Sequence, residues 1–362
     1  MSHLRNYAGA FVQAMRADIP IYIVVGLYLA TCFWLLGRND IRPFALLDHY
    51  FFAWAINFGV IGTYVVNALG LFHVVHRLPR RRRLGFRRMI APRRVARYLA
   101  GLVLLLLTLV LFSDMFAAIK SSFPLGRGFL HDVVQADIDK ALHFGTDPYR
   151  LLYGIAMHPW VLRVVEVNYN VGWFLICYFT LFWVVTSPRA EGIRLRFTLT
   201  WFSSWVIVGN LVAGAFLSAG PVYYGKVTGD TLRFADQLAF LATSAGEVGS
   251  AHTFQAYLWS LHELGLSGLG SGISAFPSMH VALVTLIALF AAERSRRLGI
   301  ILWLYVGFVV LSSVYLGWHY AIDGYASILL VTAIYWALRK GLPWLATLSW
   351  RRPSPALVTE NT

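Results

Sequence analysis

The sequence predicts an all-α fold, a polytopic membrane helix bundle of about eight transmembrane helices. Three observations lead there. Of the 362 residues, 58% are hydrophobic and only 13% charged, too few polar groups to clothe a soluble fold of this size. The apolar residues gather in runs of roughly 17 to 25, the length a helix needs to cross a hydrocarbon core of about 30 Å. Most of the 31 lysines and arginines stand in clusters between those runs.

The runs lie near 19–37, 51–75, 98–119, 162–186, 197–217, 278–293, 298–317 and 320–338. The first follows Arg5, Arg16 and Asp18 and has no small-residue cleavage site after it, so it reads as a retained span. Ten arginines between Arg77 and Arg97 follow the second. Arg189, Arg194 and Arg196 precede the fifth, Arg294, Arg296 and Arg297 separate the sixth and seventh, and Arg339, Lys340, Arg351 and Arg352 follow the eighth. In an eight-span topology all of these share one side. The positive-inside rule then places both termini in the cytoplasm. The formal charge of +14 is thereby explained by topology and by attraction to anionic membrane lipid, and nucleic acid is not a partner. The sixth run is the shortest. Cys32 and Cys177 both fall inside spans and say nothing of redox compartment.

The opposite side carries two long segments, near 120–160 and 218–277. The first contains Asp132, Asp137, Asp139 and Asp147 and is mildly amphipathic from Val133 to Phe144, which predicts short interfacial helices capping the bundle. The second turns glycine-rich from Gly265 to Gly272 before entering Ala275-Phe-Pro-Ser-Met-His280. The chain divides into two N-terminal spans with a basic loop (1–97), a six-span segment (98–340) and a tail (341–362) that reads as disordered.

His280 opens the sixth run, and 39 residues later His319 precedes the eighth, with Asp323 four positions on. Both histidines therefore reach one water-facing surface. A carboxylate at i+4 on the same helical face can hold a histidine in one tautomer and make it nucleophilic, while a second histidine protonates a leaving group. Pro277-Ser278 suits the first turn of a helix whose free N–H groups attract an anion, and Ser278 adds a hydroxyl donor. This is a phosphate-handling constellation. A metal site would use the same two histidines and aspartate but gives Pro277-Ser278 no role. A transporter would need broken helices near the bilayer midplane, whereas the marked residues gather at one surface. Asp114, Glu166, Asn168, Asn170 and Asn210 inside the spans are read as bundle contacts, with a lipid-headgroup cavity as the other use.

Pro277-Ser278-Met279-His280 and His319-Tyr320-Ala321-Ile322-Asp323 resemble the second and third motifs of the type 2 phosphatidic acid phosphatase superfamily. With Phe276 to Ala282, Tyr315 to Tyr320 and Ala219 to Tyr224, the detail looks like its inositol phosphorylceramide synthase branch of inositolphosphotransferases. The resemblance covers about residues 100–338 and implies a six-helix core. It implies His319 as nucleophile through a phosphohistidine, Asp323 as its orienting partner and His280 as general acid and then base. Neither metal nor cofactor is implied. The partners implied are a phospholipid donor and a lipid or polyol acceptor, phosphatidylinositol and ceramide in that branch.

The family's first motif is Lys-x6-Arg-Pro. Lys226 and Arg233 have that separation at the corresponding position, with Phe234 in place of proline; Lys120 and Arg127 have it after the third run, with Gly128 following. Position favours Lys226 and Arg233 as phosphate ligands. Beside them, Tyr223 and Tyr224 are candidates to hydrogen-bond the substrate, with interfacial anchoring as the other reading. Ser312-Ser313 occupy the stretch where the phosphatases carry an arginine six residues before the third-motif histidine. That loss favours transfer to an alcohol over hydrolysis by a lipid phosphate phosphatase. The compact loops read as those of a bacterial inner-membrane protein, with the site on the periplasmic or lumenal side.

Overall fold

In the computed structural model, residues 2–38 and 43–348 are described, the side chains of 2–3 and 344–348 excepted. The predicted tail from 349 onward lies outside the described residues. Every regular element among those described is helical. We number the principal helices α1 (Ser2–Ala17), α2 (Ile19–Gly37), α3 (Leu47–Arg77), α4 (Pro92–Ser122), α5 (Asp132–Leu142), α6 (Pro148–Ala156), α7 (Pro159–Thr186), α8 (Pro188–Ala215), α9 (Ala251–Glu263), α10 (Met279–Arg294), α11 (Arg296–Tyr315) and α12 (Ala321–Leu348). Seven of them, α2, α3, α4, α7, α8, α11 and α12, are long and apolar enough to cross a bilayer. This is an integral membrane protein.

The sixth expected span, α10, has 16 residues and falls short of the others. At 1.5 Å per residue it rises only about 24 Å against a hydrocarbon core of about 30 Å. It can be short because it is sheathed in protein: α7, α8, α11 and α12 pack around it, and Val281 through Ala288 are all buried. Small residues let the helices close in. A Cβ on Gly324 of α12 would come 3.1 Å from Val310 of α11, and one on Gly299 would come 2.8 Å from Ala292. The start of this short central helix carries His280.

The arginine clusters among the described residues gather at one end; Arg351 and Arg352 lie outside those residues. Arg93 pairs with Glu191, and Arg196 forks onto Glu293 at 2.6 and 2.7 Å. Asp18, between α1 and α2, is fully buried there and binds both Arg97 of α4 and Arg194 of α8, the latter at 3.1 Å. A carboxylate read from sequence as part of a terminal flank is thus the pin that fastens the N-terminal helices to the bundle. The polar groups inside the spans mostly pair within it. Glu166 accepts from Ser244 Oγ and Ala251 N, both at 2.8 Å; Asp114 accepts from Leu46 N, and Asn210 from Tyr28 Oη.

Candidate active site

His319 sits in the turn between α11 and α12, and that turn is held from both sides. The last carbonyls of α11, which lack intrahelical partners, accept side-chain donors: Gln237 Nε2 reaches Val314 O at 2.7 Å, Tyr153 Oη reaches Tyr315 O at 3.1 Å, and Gln255 Nε2 reaches Leu316 O at 2.8 Å. The first N–H groups of α12, at Ala321 and Ile322, donate to the carboxylate of Asp139 at 3.0 and 3.1 Å. Asp139 lies on α5, so this helix start is capped in trans. One face of α5 also presents Asp132, seven residues earlier, which accepts Ala219 N, Gly220 N and the Tyr320 hydroxyl at 2.7 to 2.9 Å. Burial pushes both carboxyls above the usual range, and the N–H donors work against that shift. Gly220 closes the frame. At φ 96° its Cα lies so near the turn that a Cβ would stand 2.7 Å from Trp318 O.

Within this frame His319 Nδ1 lies 3.2 Å from Asp323 Oδ2, which also accepts the Tyr320 N–H. Donation from Nδ1 leaves Nε2 as the nitrogen with a free lone pair. His319 is 7% exposed and Asp323 is fully buried. Burial lowers the His319 imidazole to about 3; the Ala275 carbonyl opposes this and the Lys120 charge adds to it. The ring is consequently neutral over the physiological range. Ser278 caps α10 by accepting Val281 N, and its own N–H donates to Asp323 O at 3.3 Å, so the two motifs are joined directly. The Ser278 side chain is buried in that cap rather than open to the cavity.

His280 is held differently. Its ring lies between Tyr169 and Trp173, each 4.1 Å away by ring centroids, and Trp173 Nε1 donates to the His280 carbonyl at 2.9 Å. Both aromatics come from α7, where the turn Asn168–Gly172 is widened to i→i+5 pairing. Sequence reading missed them, together with the framing residues Asp132, Asp139, Gln237 and Gln255. For the framing acids the signal was the seven-residue spacing of Asp132 and Asp139 on one amphipathic face.

His280 and His319 open onto one cavity of about 520 Å³. Of the described residues lining it, Lys120 alone is cationic. Lys120 is itself overlaid by the glycine-rich loop: at Gly272, φ 94°, a Cβ would stand 2.8 Å from the lysine Cβ. Arg127, its sequence partner, is exposed and away from the cavity.

The pair favoured by position does not reach the cavity. Arg233 is bound to Asp137 at 2.6 Å, to Asp147 at 2.9 Å and to Ala136 O at 2.8 Å, and Lys226 is exposed, lying 4.7 Å from the Trp259 ring centroid. Two carboxylates neutralise Arg233, which therefore ties α5 to the 224–234 segment instead of meeting a phosphate. Tyr223 lines the cavity, but its hydroxyl donates to Gln255 O at 2.8 Å. Tyr224 turns away, its hydroxyl 3.4 Å from Arg233. No group of three or more metal-ligating side chains occurs among the described residues.

A family model described as the PAP2 superfamily matches residues 135–337. That segment contains the framing carboxylate Asp139, both histidines and Asp323, and it excludes α1 to α4 and so Lys120. No curated protein and no solved structure matches significantly.

Proposed function

The chain belongs to the PAP2 superfamily, whose members are phosphatases and phosphotransferases of lipid-type substrates, and on that premise we propose that it is a phosphotransferase. It moves a phosphate-containing head group from a phospholipid to the hydroxyl of a lipid or polyol. The observation that carries this reading is the charge of the cavity: two histidines and a single cation, Lys120, with no arginine among the described residues lining it. A phosphodiester bears one negative charge and is matched by one ammonium. A phosphomonoester bears nearly two and calls for more donors.

His319 Nε2 attacks phosphorus, and the bond from phosphorus to the lipid oxygen breaks. A proton taken up from solvent with the anionic substrate makes His280 an imidazolium, which protonates that oxygen, releasing a lipid alcohol and leaving a phosphohistidine that carries the head group. His280, now neutral, takes the proton of the acceptor hydroxyl. The acceptor oxygen attacks phosphorus, and the P–N bond breaks to restore His319. Lys120 neutralises charge on the equatorial oxygens throughout. The likeness of the motifs to inositol phosphorylceramide synthases supports an inositol phosphate head group and a ceramide-like acceptor. The arginine-rich end faces the cytoplasm in this reading, and the site faces the periplasmic or lumenal side of a bacterial inner membrane.

The test is to incubate purified protein with head-group-labelled phospholipid, with and without a lipid alcohol, and resolve the products by mass. Label on the added alcohol is the expected result. Release of free phosphate or head-group phosphate regardless of acceptor makes the protein a hydrolase.

A further inference from the structure

The cavity extends well beyond the reach of the chemistry. Along α4 its wall runs from Lys120 through Phe116 and Phe112 to Leu109, eleven residues or about 16 Å, half the thickness of a bilayer core. Polar groups crowd the Lys120 end, while aromatic and aliphatic side chains line the rest. In this apolar part, beside Ser113 and one turn from Leu109, stands Trp54 of α3. Its ring packs against Tyr178 at 4.8 Å, Phe58 at 5.3 Å and Phe174 at 6.0 Å, and its Nε1 donates to Ser113 Oγ at 3.3 Å. The indole's one donor is spent inside the protein, so the ring offers the cavity an apolar surface.

We infer that Trp54 is the floor of a lipid-chain site and sets the length of chain the enzyme accepts. The inference rests on the phosphotransfer reading for the identity of the ligand: with its phosphate at Lys120 and His319, a phospholipid has one apolar chain directed down α4. A space of 520 Å³ is in the range of one small ligand and suits a single chain. A second chain stays in the bilayer. Trp54 and the α4 wall lie outside the segment matched by the family, so this chain-length selection belongs to the N-terminal helices of this protein and not to the shared catalytic core.

The experiment uses a series of phospholipids with one head group and graded acyl length. Binding is read from the thermal stabilisation of full-length His319→Ala protein, which requires no turnover, and kcat/KM is read on the protein with His319 intact. Affinity is expected to rise by up to about fourfold per methylene and to level off once the chain meets Trp54. Trp54→Ala and the milder Trp54→Leu move that break to longer chains, and Leu109→Phe moves it to shorter ones. Whichever Trp54 variant keeps its lipid-free unfolding temperature is the one scored. A length profile unmoved by either Trp54 variant and by Leu109→Phe overturns the inference even when phosphotransfer is measured. A break that moves as stated, with no lipid turned over, sustains the chain site and removes the phosphotransferase.

Discussion

Two cationic positions with the same sequence spacing to an arginine, Lys120 and Lys226, end in opposite circumstances. At the second, the half-buried arginine is bound to Asp137 and Asp147 and the lysine lies over an indole at the surface. At the first, the arginine is exposed and the lysine stands in the histidine cavity, with no carboxylate among the described residues that line it. The difference teaches that a cation's availability to substrate is set by what else surrounds it. An arginine held by two carboxylates has no charge to give a phosphate, whereas a lysine beneath a glycine loop, with no carboxylate beside it among the described residues, keeps its charge for one.

That comparison can be broken at several points. The largest effect is expected at the shared chemistry: His319→Ala should lower turnover by at least about 10⁴-fold while the protein remains folded, and retained activity would remove the phosphohistidine route. Lys120→Met should lower kcat/KM by about 10² to 10³-fold with little change in unfolding temperature, as for loss of one donor to developing charge. Arg233→Met should reverse that pattern. It strands the buried Asp147 and should cost roughly 2 kcal/mol of stability, less than a fully buried pair because Asp137 is exposed, with a smaller loss of activity. If Arg233→Met abolished turnover in a protein of unchanged stability, the assignment of the two cations would be inverted. Lys226→Ala should change either quantity by no more than about twofold.

The pH profile sharpens the same contrast. The nucleophile must be neutral, and burial lowers His319 to about 3, so protonation should silence it only in acid well below the ordinary imidazole value of about 6.5. The kcat/KM limb assigned to His319 is therefore expected below about pH 5. A limb near 6.5 would mean that the cavity is wetter than its walls imply.

The spans were legible because length and apolar composition are local properties; the start of α4 at Pro92, six residues before the apolar run, is a basic extension that hydropathy alone does not count. His280, His319 and Asp323 were legible because short spacing on a helix start fixes geometry. Position favoured Lys226 over Lys120, whereas Lys120 is the one that lines the cavity, since spacing carries no information on which carboxylates fold back against a cation. Asp132 and Asp139 were visible only as acids of a capping helix. Their bonds to residues 219–220 and 320–322 join segments that are far apart in the chain, and only the folded bundle brings these together. The aromatic clamp on His280 depends on a widened turn of α7, for which Asn168 and Asn170 were the sole hint. Nor does a run of apolar residues reveal that α10, too short to span alone, is the axis around which α7, α8, α11 and α12 stand.

The Asp18 pin has a bearing on how the protein is made. Asp18 leaves the ribosome early, yet the two guanidiniums that meet it lie at positions 97 and 194, the second beyond four of the long apolar helices. Synthesis runs from the N-terminus, so α1 and α2 are in place long before their anchor is complete. Their final docking is a late event of biogenesis, and a chain interrupted before Arg194 carries an N-terminal pair of helices that has only half its fastening.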